Sequence, residues 1–397
     1  MIGSELPKGW NKVKLLDIAD LSTGKVDANH STEDGLYPFF TCASEPMKSP
    51  DYSFDDESVI VPGNGANVGC VLYYNGKFQA YQRTYVLSNI KIVPKYLYYH
   101  FLRYWKERTE NNQFGSATNY VKLINFANYI VDMPSLTEQK QIAEKLDKLF
   151  DQIETIKKAS NRIPELLKNF RQQVLTYAVT GKLTEEWRKE RQLDEWHTEL
   201  AKDCCEKVQS GGTPKGGQFA LSGIPFLKVY NIVGNKIDFE SEPQYVSEEI
   251  QNSQIKKSIT YPGDVIMNIV GPPLNKVAII PDTYKEWNIN QAITLFRPKE
   301  YLNNQYLYYF FCEGASVNSV LDKTRGVVGQ VNISLSQCRE FAISIPPMEE
   351  QLEIVKRVQT LFDVLDDVER RYKVLCEKLD KLPQALLCKA FKGELIN

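Results

Sequence analysis

The sequence predicts an α+β chain with an internal repeat. Two globular mixed α/β heads are each followed by a long helix, and the two helices pair antiparallel, coiled-coil-like, about a pseudo-twofold axis. Three observations predict this. First, "LTEQKQIAEKLDKLF", starting at Leu136, returns as "MEEQLEIVKRVQTLF", starting at Met348, 212 residues later. Laid over each other without a gap, 134–183 and 346–395 are identical at 14 of 50 positions, where chance gives about three. Pro134/Pro346, Glu138/Glu350, Gln139/Gln351, Leu149-Phe150-Asp151/Leu361-Phe362-Asp363, Leu175/Leu387 and Gly181/Gly393 are among them. Second, Tyr96-Leu97-Tyr98-Tyr99 recurs as Tyr306-Leu307-Tyr308-Tyr309 at an offset of 210. Third, the stretches before the two helices have strand-and-turn texture and differ from each other far more than the helices do.

The elements follow in order. Residues 1–133 form the first head. "SVIVPGNGANVGCVLYY" and "YVLSNIKI" are β-branched runs broken by Gly, Pro and Asn, which reads as strands and turns. "YLYYHFLRYW" reads as a short buried helix whose aromatics belong to a core rather than to a base-stacking platform. Residues 134–183 read as helix. Ser135 and Glu138 have capping-box spacing after Pro134. Ile142, Leu146, Leu149, Ile153 and Ile156 then recur in 4-3 steps, and the rhythm resumes at Ile163, Leu167, Phe170 and Val174. Ser160 takes one core slot, and Pro164 is expected to kink or break the helix. Residues 184–195, "TEEWRKERQLDE", form a charged connector.

The second head occupies 196–345, with "GDVIMNIVGPPLNKVAII" and "LFRPKE" as strand texture and "YLYYFFCEG" as the matching short helix. Residues 346–397 carry the second helical region. There Ile354, Val358, Leu361, Leu365, Val368, Tyr372, Leu375, Leu379 and Leu382 keep the 4-3 step that makes an a/d seam. Pro383 is expected to perturb its end, and Gly181 and Gly393 to stop the two helices. Two similar seams in one chain are expected to pack on each other. The mixed charges beside them (Glu144, Lys145, Asp147, Lys148, Asp151, Glu154) read as a solvated face.

Composition narrows the function. A chain of 397 residues has room for two or more cores. No run of 18 apolar residues occurs, and "MIGSELPKGW" lacks the apolar stretch of a signal peptide, so a cytoplasmic protein is expected. Eight cysteines show no metal-ligand spacing and read as reduced thiols. His30, His100 and His197 are scattered, which speaks against a metal or catalytic cluster built on them. The net charge of −2 lacks the basic excess of a protein that binds nucleic acid alone, so any such surface is local or shared with a basic partner.

Chemistry-bearing motifs are missing. Gly181-Lys182 is followed by leucine, so no phosphate loop is present. The Pro-Pro pairs at 272–273 and 346–347 have the wrong flanks for an amino-methyltransferase motif. Glu138-Gln139-Lys140 has Glu-x-Lys spacing but opens a heptad helix, which argues against a nuclease role. No catalytic residue and no metal site is assigned.

"PSLTEQKQIAEKLDKLFDQIE" with "LLKNFRQQVLTYAVTGKLTEEWR", and "PPMEEQLEIVKRVQTLFDVLDDVE" with "LPQALLCKAFKGEL", resemble the helical regions of the DNA-specificity subunits of type I restriction–modification systems. "LPKGW" and "GDVI" are also similar to that family, and the resemblance covers the whole chain. It implies a non-catalytic subunit. Each head would be a target recognition domain reading one half of a gapped, asymmetric double-stranded DNA site. The helices would act as a ruler and as the dock for two methyltransferase subunits. Those partners would bind S-adenosylmethionine and methylate adenine at N6, and translocase–nuclease subunits could join; no cofactor is expected in this chain. The lengths agree: a helix of ~25–45 residues spans roughly 37–67 Å, against about 34–36 Å for one DNA turn. Two copies in one chain also match two identical partners.

Reading DNA needs polar groups on loops that reach base edges, with Lys and Arg for phosphate. In the first head the candidates are Asn64, Asn67, Tyr81, Gln82, Arg83, Thr84, Ser116, Thr118, Asn119, Tyr120 and Lys122. In the second they are Thr213, Lys215, Lys228, Tyr230, Asn231, Asn275, Lys276, Asn290, Gln291, Lys323, Thr324, Arg325 and Gln330. The plain alternative for each is a solvated loop or a turn former. Arg83 and Arg325 lead, because a guanidinium bonds guanine or phosphate at two points. Partner-docking candidates are Glu138, Gln139, Gln172, Gly181, Lys182 and Gln351. The seam candidates are Ile142, Leu146, Leu149, Ile153, Ile156, Ile354, Val358, Leu361, Leu365, Val368 and Tyr372. Two competing readings remain open: a coiled-coil scaffold whose heads bind a non-DNA ligand such as peptide or glycan, and a fused restriction–methylation enzyme, which the missing methyltransferase motif disfavours.

Overall fold

The computed structural model describes residues 6–43, 45–65, 67–109, 120–324 and 332–396, and for 322–324 the backbone alone. The chain divides into two compact units. One comprises Met1–Asn161 with Tyr372–Asn397, the other Arg162–Arg371.

In the first unit a six-stranded sheet runs in the order Asp20–Thr23, Thr84–Ser88, Phe54–Pro62, Leu72–Ala80, Tyr37–Phe40, Met47–Ser49. All neighbours are antiparallel except Tyr37–Phe40, which lies parallel to Leu72–Ala80. Successive side chains point to opposite faces of a strand. Val59 and Val61 accordingly enter one core and Ile60 another, all three wholly buried. The helix Pro94–Thr109 covers the first face with Tyr96, Leu97, Phe101 and Trp105. Full burial of such side chains is worth about 1.5–3 kcal/mol each. The aromatics of "YLYY" are thus core, as their sequence suggests.

The second unit repeats this frame. Its four-stranded sheet runs Cys205–Ser210, Ile293–Pro298, Val265–Asn268, Val277–Ile279. Beside it stands Tyr245–Val246, Ile224–Leu227, Trp287–Ile289, Ile259–Thr260. Ile224–Leu227 is parallel to Trp287–Ile289, as Tyr37–Phe40 is to Leu72–Ala80. The backbone N–H of Tyr81 donates to Phe40 at 2.9 Å, and that of Asn290 donates to Leu227 at 3.0 Å. Phe40 therefore corresponds to Leu227, an offset of 187, and Tyr81 to Asn290, an offset of 209. The second head carries 22 extra residues between those points, which hides the head repeat from any ungapped comparison.

The helices depart from one uniform seam. The first divides into Leu136–Ser160 and Ile163–Val179, with Pro164 in the opening turn of the second piece, where its missing N–H costs nothing. The second runs unbroken from Met348 to Ala390 with Pro383 inside it. The end that Pro383 is expected to perturb stays helical, with Leu387 and Ala390 buried in the core of the first unit. Gly181 and Gly393, at φ 74° and 72°, close the helices in the left-handed region. In the first unit Lys157 pairs with Asp380 at 2.8 Å, and Ile142 and Leu146 share a core with Leu387. In the second Arg171 pairs with Asp366 and lies over the Phe362 ring, and Val174 and Leu175 share a core with Ile354 and Val358. Each pairing is antiparallel.

The seam expectation is corrected in one respect. Ile142, Leu146, Ile354 and Val358 are wholly buried among the residues of a head. Ile153 and Leu365 are also buried, Leu149, Leu361 and Tyr372 partly so, and Ile156 and Val368 are 45% and 40% exposed. A helix packing on a head and a helix packing on a helix need the same 4-3 spacing. The connector also differs from a loose linker. Glu185–Arg191 is helical, and Thr184 and Arg188 both bond the Glu350 carboxylate, at 2.6 and 3.1 Å.

Candidate nucleic-acid interface

The expected readers of the first head converge in part. A cleft of about 420 Å³ is lined by Asn64, Gln82, Arg83, Tyr120 and Lys122, together with Thr23, Gly63, Tyr85 and Val121. Its floor is fixed by main-chain bonds. Gly63 N–H donates to the Arg83 carbonyl at 2.9 Å, Val121 N–H to Gly63 at 2.9 Å, and Asn64 bridges to Tyr120. Gln82 and Arg83 sit in the turn closed by Thr84 N–H on Tyr81, and both are exposed. The Arg83 guanidinium has no hydrogen bond or ion pair among the described residues, so its donors face solvent. The Lys122 ammonium lies 5.5 Å from the Tyr120 ring centre. Burial raises the Tyr85 phenol above its ordinary range and keeps it a neutral donor, aimed at the Val121 carbonyl. Such a rim offers amide, phenol, guanidinium and ammonium groups, the chemistry that reads base edges and phosphates.

Other first-head candidates are structural. Asn67 donates to the Cys42 carbonyl at 2.7 Å and holds its loop. Tyr81 is half-buried and bridged to Val26. Thr84 is wholly buried in its strand, which corrects its assignment as a DNA contact. Ser116, Thr118 and Asn119 lie outside the described residues.

In the second head Thr213 donates its hydroxyl to the Gln291 amide oxygen, and both are exposed. Lys215 is anchored beside them, its N–H on Gln254 at 2.8 Å. Lys228 lies over the rings of Phe219 and Tyr230, at 4.8 and 5.9 Å, and Tyr230 is 38% exposed. Asn231 is 1% exposed and its side chain bonds Lys228, Asp238 and Glu242 backbone groups, so it builds a turn and is no reader. Asn275 donates to Phe311 at 3.0 Å from a left-handed position, again a structural role. Lys276 and Asn290 are half-buried in main-chain bonds. Arg325 and Gln330, and the side chains of Lys323 and Thr324, lie outside the described residues.

The docking candidates divide likewise. Gln139 and Gln351 are buried, and each bonds the chain before its own helix: Gln139 to Val93 and Pro134, Gln351 to Asn303 and Pro346. Glu138 accepts from the Trp10 indole at 3.0 Å. These three fasten helix to head, and their internal partners correct the expectation of an outer dock. Gln172 is exposed and donates to Glu313 at 2.7 Å. Gly181 is buried and Lys182 exposed, its ammonium 5.5 Å from the Tyr177 ring centre.

Sequence reasoning missed Thr23 and Tyr85, which line the first cleft. Among the described residues no group of three His, Cys, Asp or Glu is placed to hold a metal ion, and no helix is long and apolar enough to cross a membrane.

Known proteins are similar to this chain in sequence and in fold. The family described as the type I restriction modification DNA specificity domain matches residues 7–165 and again 194–375. The specificity subunit of the type I restriction enzyme EcoDI from Escherichia coli is 33% identical across 100% of this chain and 90% of its own length. That of EcoKI, from Escherichia coli K12, is 30% identical over 71% of this chain and 61% of its own. Two solved structures have the same fold at 17% identity. One comes from work on complex assembly and conformational transition of the type I R-M system, with a TM-score of 0.70 over 98% of this chain and 100% of that one. The other is the HsdS subunit from Thermoanaerobacter tengcongensis, with a TM-score of 0.67 over 99% of each. The chain belongs to the type I restriction–modification DNA specificity family and carries its domain twice.

Proposed function

We propose that this chain is the DNA-specificity subunit of a type I restriction–modification assembly, each head reading one half of a gapped, asymmetric site. One observation carries the reading. A single frame is built twice, and the side chains at its exposed loops differ: Arg83 in one head stands where Ala292 stands in the other. Two readers of one design and unlike surface fit two unlike half-sites. The full-length likeness to specificity subunits supports DNA as the ligand, and not the scaffold with peptide or glycan cargo.

The helices dock two adenine-N6 methyltransferase subunits, one for each copy of the helical region. Exposed apolar side chains on them support this: Leu136 (56%), Ile156 (45%), Leu166 (59%), Phe170 (45%) and Val364 (57%). S-adenosylmethionine and the methyl transfer belong to those partners, translocase–nuclease subunits join for restriction, and the assembly works in the cytoplasm. A chain of net charge −2 then takes much of its phosphate contact from its partners. Mapping methylated adenine by single-molecule sequencing, in cells carrying this chain with its neighbouring methyltransferase, tests the reading. One gapped, asymmetric motif that disappears on deletion of this chain is expected; unchanged methylation overturns it.

A further inference from the structure

We propose that Gln82 and Gln291 make the same contact in the two half-sites, each side-chain amide pairing with the major-groove edge of an adenine. This rests on the DNA-reading function proposed above. The main-chain bonds within each head fix the correspondence without reference to sequence similarity. Gly24 N–H donates to the Thr84 carbonyl and Gly211 N–H to Ile293. Thr84 N–H closes its turn on Tyr81 at 2.8 Å, and Ile293 N–H closes its own on Asn290 at 3.1 Å. Gln82 and Gln291 are therefore the same turn position.

Around that position the heads have diverged. Gly63 N–H meets the Arg83 carbonyl as Ile269 N–H meets Ala292, so arginine in one head is alanine in the other. Val121 N–H meets Gly63 as Ile333 N–H meets Ile269, which places Asn64 against Val270 and Lys122 against Ser334. The cleft rim thus exchanges cationic and amide groups for apolar and hydroxyl ones, yet the glutamine stays.

Both turns are also backed by close main-chain packing. A Cβ on Gly24 would stand 1.8 Å from the Ala80 carbonyl oxygen, and one on Gly211 2.1 Å from that of Ile289. Only glycine allows so close an approach, and each glycine lies against the strand end that leads into the turn. Gln82 has its N–H on Val26 at 2.9 Å and an exposed side chain with no hydrogen bond among the described residues. Gln291 accepts from Thr213, which leaves its amide N–H₂ and a second lone pair open. A glutamine amide offers one donor and one acceptor side by side, the complement of adenine N7 and N6–H₂. Thr213 acts as a positioning residue for Gln291. Arg83 gives the first head a neighbouring contact that Ala292 cannot make.

The test is the methylation map of cells carrying the native chain, Gln82→Ala, Gln291→Ala or Gln82→Glu, each with the neighbouring methyltransferase and with co-purification confirming assembly. The native motif is expected to hold an A·T pair in each half. Gln82→Ala should relax one position of one half-site, raising methylation at sites with another base there on the order of 10-fold or more. Gln291→Ala should do the same in the other half only. Gln82→Glu should move the preference from adenine toward cytosine, since a carboxylate accepts from cytosine N4. The proposal is overturned if assembled Ala variants keep the native motif, if either alters both halves alike, or if Gln82→Glu methylates nothing although assembled. A native chain that directs no gapped motif overturns the DNA-reading function itself, a different result from a native motif indifferent to the glutamines.

Discussion

Glu350 accepts a hydrogen bond from the Trp196 indole at 2.9 Å, as Glu138 accepts one from Trp10 at 3.0 Å. Each tryptophan precedes a strand, Asn11–Lys14 or His197–Leu200, and that strand pairs with Ile130–Met133 or Ala342–Ile345, which leads into the helix. The bond locks the first turn of each helix to the start of its head. The two locks are unequal. Glu350 is wholly buried and also takes Thr184 at 2.6 Å and Arg188 at 3.1 Å, whereas Glu138 is half-exposed.

Removing a buried carboxylate strands every donor aimed at it. Glu350→Ala should cost about 3 kcal/mol, and Glu138→Ala about 1 kcal/mol. Urea unfolding of the full chain, followed by tryptophan fluorescence, reads both. Equal losses would show that the Thr184 and Arg188 bonds contribute nothing.

His100 makes the first unit sensitive to acid. It is wholly buried, and burial pushes its imidazole down to about 4. Asp132 N–H donates to Nε2 at 3.1 Å, which fixes a neutral ring with Nδ1 toward the Tyr129 hydroxyl at 3.0 Å. Arg108 and Arg103 oppose protonation and the Asp132 carboxylate favours it, with the rings of Tyr104, Tyr129 and Phe391 closing the site. Above the ordinary histidine pKa of about 6.5 the ring is neutral in both states and contributes no pH dependence. Between there and about 4 the unfolded chain binds a proton that the folded chain does not, so stability falls as pH falls. The loss should reach about 2 kcal/mol by pH 5. His100→Phe should be less stable at pH 7 and lose less between pH 7 and 5; an unchanged pH slope would place the acid sensitivity elsewhere.

The repeated helices were legible because 3.6-residue periodicity survives substitution and both copies share one offset. The repeated heads were not. Their offset moves from 187 at Phe40/Leu227 to 209 at Tyr81/Asn290, and strand pairing, not side-chain identity, carries the likeness. Nothing local in the chain reveals that 372–397 joins 1–161, since Leu387 and Phe391 show only apolar character and not which core receives them. Gln82, Arg83, Asn64, Tyr120 and Lys122, which line one cleft, stand out in the sequence because polar side chains in the turns between strands have few structural uses. Thr84 and Asn231 carry the same polar signature, and only the fold shows them buried.

The Arg83 guanidinium extends from its turn with no partner among the described residues, and its main-chain bond to Gly63 survives substitution, so loss of the side chain should leave the fold untouched. Arg83→Ala should weaken binding of the assembled complex to DNA carrying its motif. A base contact would show as relaxed discrimination at one position, worth about 1–3 kcal/mol. A phosphate contact would show as uniform weakening, with the salt slope falling by about 1. Fluorescence anisotropy at several salt concentrations separates them. Loss of assembly with the methyltransferase, in place of loss of affinity, would remove Arg83 from the interface.

Val358 and Val368 lie on the same 4-3 rhythm of one helix, yet Val358 is wholly buried in the core of the second unit with Ile354 and Tyr306, and Val368 is 40% exposed. A uniform seam would make the two equivalent. A carboxylate forced into the Val358 site has no partner and must be desolvated, a cost of several kcal/mol. At the Val368 site it stays in water, and the change should fall within about 0.5 kcal/mol. Val358→Asp should therefore unfold the second unit at much lower urea. Val368→Asp should unfold like the native chain, while a dock on the outer helix face would lose methyltransferase co-purification. Equal destabilisation by both substitutions would restore the single continuous seam that the sequence suggests.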